Sequence, residues 1–71
     1  MKRVSTFGTR LKELRRGKGL SQAALAEETG KPSSSIAFWE LRKNVPSIEN
    51  VIDFAEYFGV TVGYMAGVEE D

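Results

Sequence analysis

Apolar residues recur along this chain at intervals of three and four, the spacing of one face of an α-helix. Phe7, Leu11 and Leu14 make the first stripe, which Gly17 and Gly19 close before Leu20 turns back into the core. The spacing predicts a helix starting near Thr6 or Phe7, with Ser5 or Thr6 as its cap. Ser21 is placed to cap a second helix, because a serine oxygen there accepts from an otherwise unpaired backbone N–H. Ala23, Ala24, Leu25, Ala26 and Glu27 favour helix, and Gly30 supplies the left-handed conformation that ends one near Thr29. A third helix is expected over residues 33–41, with Ile36 and Trp39 on one face. Ser47, after Pro46, caps a fourth, with Glu49 in its first turn and Gly59 at its end. Its expected stripe is Ile48, Val51, Ile52, Ala55 and Phe58. Thr61 caps a short fifth helix through Tyr64 and Met65 to about Ala66, closed by Gly67. The expected fold class is all-α: one compact five-helix domain over residues 1–71, its core about 6–66. The core is expected to hold Leu11, Leu14, Leu25, Ala26, Ile36, Trp39, Val51, Ala55 and Phe58.

Leu25, Ala26, Ile36 and Trp39 sit where the second and third helices, joined by a tight turn, cross over a shared core. That arrangement is a helix-turn-helix, which places its second helix in a DNA major groove. Ser21-Gln22, Leu25-Ala26, Gly30, Ile36, Glu40 and Pro46-Ser47 resemble, in order and spacing, the phage repressor and Cro type of this domain. The resemblance covers roughly residues 7–65 and implies a lambda repressor-like fold. Two departures stand out. Arg42 occupies the place where the family usually has glycine, and Pro32-Ser33-Ser34-Ser35 replaces the longer Gln, Arg or Asn side chains of the reading positions.

Charge and composition narrow the function. A net charge of zero argues, taken alone, against a nucleic-acid binder. Its distribution argues the other way. Residues 1–20 carry seven bases against Glu13, a balance of +6; residues 21–44 cancel; residues 45–71 carry six acids and no base. Such asymmetry fits a basic face for a polyanion, although it also serves solubility. The chain has no cysteine and no histidine, which removes the commonest metal ligands, nucleophile and general base. No cofactor and no enzymatic activity are expected. No apolar run approaches the ~20 residues of a membrane span, so a cytoplasmic protein is expected.

Candidate site residues follow from the motif and the resemblance. Gln22 lies in the first turn of the first motif helix, where free N–H groups favour an anion, and the resemblance implies a phosphate-clamping glutamine. Lys31 at the entry to the reading helix, and Arg42, Lys43 and Asn44 after it, are the other phosphate candidates. The resemblance puts Ser33, Ser34 and Phe38 at base-reading positions. Serine discriminates less than a bidentate Arg or Gln, and Phe38 offers an apolar face to thymine methyls. Two other readings stay open: Ser33 as a mere helix cap, and Phe38 as a contact to a protein. Arg15 and Glu40 are implied as an ion pair tying the first helix to the reading helix. Trp39, three residues after Ile36, is expected in the core.

These residues point to a sequence-specific double-stranded DNA-binding transcriptional regulator, a repressor by preference. The expected operator is palindromic, bound by a homodimer through Val62, Tyr64, Met65 and Val68, a set of which part, Met65 above all, is equally a candidate to close the domain's own core. The alternative is a helix-turn-helix module that binds a protein, such as an antagonist or an antitoxin's partner.

Overall fold

Three hydroxyl side chains start helices at the positions their spacing predicts. Ser21 Oγ accepts from the Ala24 N–H at 3.0 Å, Ser47 Oγ from Asn50 at 3.2 Å, and Thr61 Oγ1 from Tyr64 at 3.0 Å. Each satisfies a backbone donor that the first turn of a helix leaves without a partner. The computed structural model describes the backbone of residues 2–68 and the side chains of residues 6–68. Among the described residues there are five helices and no strand: α1 Lys2–Gly17, α2 Gln22–Thr29, α3 Ser33–Glu40, α4 Ile48–Phe58 and α5 Val62–Ala66.

Helix α1 starts at Lys2, ahead of the expected Thr6 or Phe7. Nothing in residues 2–5 breaks a helix, and adding residues to an existing one is easy compared with nucleating it. Neither Ser5 nor Thr6 therefore stands at its start, and the Ser5 side chain lies outside the described residues. Helix α3 has Pro32 at its N-cap with no side-chain cap, so Ser33 is a helical residue and not the cap.

The five helices enclose Phe7, Leu11, Leu25, Ile36, Phe54 and Met65, all essentially without solvent contact, together with Trp39, Val51 and Ala55. Leu14, Ala26 and Phe58, also expected inside, are partly buried and pack against this core. Trp39, Phe7 and Phe54 meet edge to face, with ring centroids 5.7–6.2 Å apart, an arrangement that sets positive ring edges against negative faces. Trp39 is a core residue, as expected.

Helix α4 buries a different arc from the expected one. Phe54 is fully buried, whereas Ile48 and Ile52 are 64% and 37% exposed. Ile52 follows Val51 by roughly 100° around the helix, past the edge of the arc made by Phe54, Ala55 and Val51. Met65, expected among the dimer contacts and also as a candidate for the core, falls on the core side. It is fully enclosed in the domain's own core, so its side chain is not available to a dimer contact.

Helices α1 and α3 touch at Gly8. A Cβ there would stand 2.1 Å from the carbonyl oxygen of Trp39, an approach no side chain permits without moving backbone. Gly8→Ala is expected to destabilise the domain by ~2 kcal/mol or more, since an added methyl in a packed site that cannot yield costs this much. Thermal unfolding checks this, with a midpoint lowered by roughly 10 °C or more; an unchanged midpoint would mean that α1 and α3 separate without cost.

Candidate nucleic-acid interface

Helix α3, the second helix of the motif, is fixed at its end by a buried ion pair. Arg15 Nε donates to Glu40 Oε2 at 2.7 Å and Arg15 Nη2 to Glu40 Oε1 at 2.9 Å, a bidentate fork. The third nitrogen, Nη1, donates to the carbonyl of Leu20 at 2.8 Å. Gln22 Nε2 donates to Glu40 Oε1 at 3.1 Å, joining the first residue of α2 to the last of α3. The Glu40 side chain is only 4% exposed. The expected Arg15–Glu40 pair is thus present. Burial opposes the charge on Glu40, but the hydrogen bonds from Arg15 and Gln22, with the fields of Arg15 and Lys12, outweigh it and lower its pKa. The hydrogen bond to Glu40 raises that of Arg15 against its own burial.

Ser33 and Ser34 lie exposed in the first turn of α3, and neither hydroxyl is engaged by another described residue. Phe38 is 47% exposed and four residues after Ser34, hence on the same side of the helix. Ile36 and Trp39 occupy the opposite, buried side. The structure thus brings the three base-reading candidates onto the free face of α3.

The loop after α3 carries Arg42, Lys43 and Asn44, all exposed. Arg42 has φ 63°, the left-handed conformation that glycine adopts with less strain. The Arg42 N–H donates to the Trp39 carbonyl and the Lys43 N–H to the Phe38 carbonyl, both at 2.9 Å. These bonds close a Schellman turn, so the loop keeps a glycine-type helix ending although an arginine occupies the position. Lys31 differs from the loop cations: its ammonium sits 2.5 Å from Asp53 Oδ2 on α4. Gln22 is half-buried with its amide nitrogen turned to Glu40. Sequence spacing carried no sign of the Gln22–Glu40 and Lys31–Asp53 contacts, because both join residues far apart in the chain.

The dimer candidates are divided. Val62 and Val68 are exposed. Tyr64 is half-buried, with the Arg10 guanidinium 3.9 Å from its ring centroid and Arg10 Nη1 donating to its carbonyl at 2.9 Å. No helix among the described residues is long and apolar enough to cross a membrane.

A carboxyl whose folded pKa lies below its unfolded one stabilises fully above the ordinary carboxylate range. That contribution disappears as pH falls through the lower, folded value. Glu40→Gln is therefore expected to melt well below wild type near neutral pH, the gap narrowing as the solution is acidified. A gap of constant size across the titration would show that Glu40 is not charged in the folded state.

The helix-turn-helix family pattern matches residues 11–65. The chain is 34% identical over 64 residues to the HTH-type transcriptional activator BcrR of Enterococcus faecalis, covering 90% of this chain and 31% of that protein. It is 31% identical over 62 residues to the uncharacterized HTH-type transcriptional regulator YobD of Bacillus subtilis (strain 168), covering 87% of this chain and 55% of that protein. The chain thus spans about a third and about half of these two relatives. No solved structure matches it. With Ser21, Gly30 and the Arg15–Glu40 pair placed as described and the pattern running from Leu11 to Met65, the chain belongs to the helix-turn-helix family.

Proposed function

We propose that the domain binds double-stranded DNA as a sequence-specific transcriptional regulator in the cytoplasm. The observation that carries this reading is the free face of α3. Ser33, Ser34 and Phe38 stand clear of the protein on a helix whose other side is buried and whose end is pinned by Arg15 and Glu40. Phosphate contacts come from Arg42, Lys43 and Asn44 on one side of the reading helix and from Gln22 at the start of α2. Lys31 joins them once it leaves Asp53. Two relatives bear the names of transcriptional regulators, which supports the reading. Repression is the preferred outcome, because occupying a site that overlaps a promoter suffices for it. One relative is named an activator, so a reporter must be read in both directions.

Exposed Phe38, Leu41, Val45 and Ile48 favour a second reading, in which the module binds a protein. Duplex binding separates the two. Selection from a random duplex pool is expected to enrich one motif, and Lys43→Ala to lower the salt slope by about one unit on every sequence. Phe38→Ala is expected to cost ~1 kcal/mol at thymine-bearing positions and little on non-specific DNA. No enriched motif, with a protein partner lost in Phe38→Ala, moves the surface to the second reading.

The proposed homodimer on a palindromic operator uses Val62, Val68 and the outer part of Tyr64, without Met65. Sedimentation is expected to show two chains on a palindrome and weaker binding to a lone half-site. Equal affinity for both, by a monomer, removes the dimer.

A further inference from the structure

Helix α1 and the end of α3 flank an open groove of about 400 Å³ whose walls include Lys12, Glu13, Arg16, Leu41 and Arg42. Glu40 also borders it, but its carboxylate is already held by Arg15 and Gln22. Glu13 is then the one carboxylate facing three cations. No ion pair holds Lys12, Arg16 or Arg42 among the described residues.

Two local costs meet in this groove. Lys12 and Arg16 are one turn apart on the same helix, a like-charge spacing that destabilises it. Arg42 holds a left-handed backbone at φ 63°, where glycine is the unstrained choice. Its Cγ lies 3.2 Å from where a Cβ on Gly8 would stand, so its stem runs across α1 at that glycine. A bound anion relieves the repulsion between the first two cations and gives the third a reason to be there. The groove opens to solvent, so an anion can reach its cations from outside. It is also continuous in the chain with Lys43 and Asn44.

We infer that this groove takes the sugar-phosphate backbone of the duplex, with Lys12 and Arg16 joining Arg42 as phosphate ligands. The inference rests on the DNA-binding reading and extends its footprint onto α1.

The test measures duplex affinity against salt concentration for wild type, the double variant Lys12→Gln with Arg16→Gln, Lys18→Gln and Arg42→Gly. Each lost phosphate contact lowers the slope by about 0.9, so the double variant is expected to lose about 2 units. It should weaken specific and non-specific duplexes by the same factor while remaining folded at the temperature of the assay. Lys18, whose ammonium lies 5.3 Å from the centroid of the Tyr57 ring, faces another part of the domain, and its replacement should leave the slope unchanged. Arg42→Gly should raise the thermal midpoint and lower the slope by about one unit, a pairing that a structural role does not produce. A double variant with the wild-type slope overturns the inference, as does a Lys18→Gln loss per charge equal to the groove's. So does a double variant that keeps duplex binding but loses binding to polyglutamate. If wild type itself shows no salt-dependent duplex binding, the DNA reading fails and takes this inference with it.

Discussion

The direction of α3, the second motif helix, depends on one guanidinium. Arg15 spends donors from all three of its nitrogens inside the fold, on both oxygens of Glu40 and on the Leu20 carbonyl. Removing two charges from water is costly, and a buried pair of this kind is often replaceable by apolar residues without loss of stability. Stability is therefore a poor account of it. A planar fork on a planar carboxylate fixes an angle as well as a distance. Ile36 and Trp39 bury one side of an eight-residue helix, and apolar contact is non-directional. The fork supplies the direction, and Gln22 extends it to the first residue of α2. The two motif helices are thus referenced to the same carboxylate.

The aromatic cluster does the complementary work. Phe7 on α1, Trp39 on α3 and Phe54 on α4 bring three helices together through edge-to-face contacts. Gly8, next to Phe7, lets α1 approach the Trp39 carbonyl more closely than any Cβ would allow. A small domain buries a modest share of its surface, so a few large rings at close approach replace the many aliphatic contacts of a bigger core. The ion pair and the rings act at the same junction of α1 and α3, so direction and close approach of α3 are set at one place.

What the sequence made legible was whatever is decided within four or five residues. Ser21, Ser47 and Thr61 cap helices through their own neighbours, and Gly30, Gly59 and Gly67 end them in the same local way. Register on α4 was less accessible. Ile52 and Phe54 are both apolar, and only the packed partners decide which side of Val51 turns inward. Met65 posed a similar choice between core and interface, settled by the enclosure of α5. The candidate interface divides likewise. The exposed positions of Ser34 and Phe38 follow from helical period once Ile36 and Trp39 are inside, whereas Ser33, three residues before Ile36, is exposed as the first residue of α3. The Arg15–Glu40 pair spans 25 residues and entered only through the family resemblance. Nothing in the chain's spacing indicated Gln22 on Glu40 or Lys31 on Asp53.

The charge pattern takes its meaning from which cations the fold consumes. Net charge is zero, and the first twenty residues hold seven of the ten bases. Arg15 is neutralised by Glu40, Arg10 lies on the Tyr64 ring, Lys18 faces Tyr57, and Lys31 pairs with Asp53. Each of these bases joins two elements of the fold and adds less to an outward field than its formal charge suggests. Lys12, Arg16, Arg42 and Lys43 make no ion pair or ring contact among the described residues, although the field of Lys12 also reaches Glu40. They lie on α1 and in the loop after α3, beside the end of the reading helix. A polyanion approaching a protein responds to charges that remain uncompensated at the surface, not to the sum over the chain. A neutral domain can therefore present a basic face, provided its acids are placed where they compensate structural cations or lie on other elements. Glu40 and Asp53 fill the first role here, and Glu49 and Glu56, exposed on α4, fill the second.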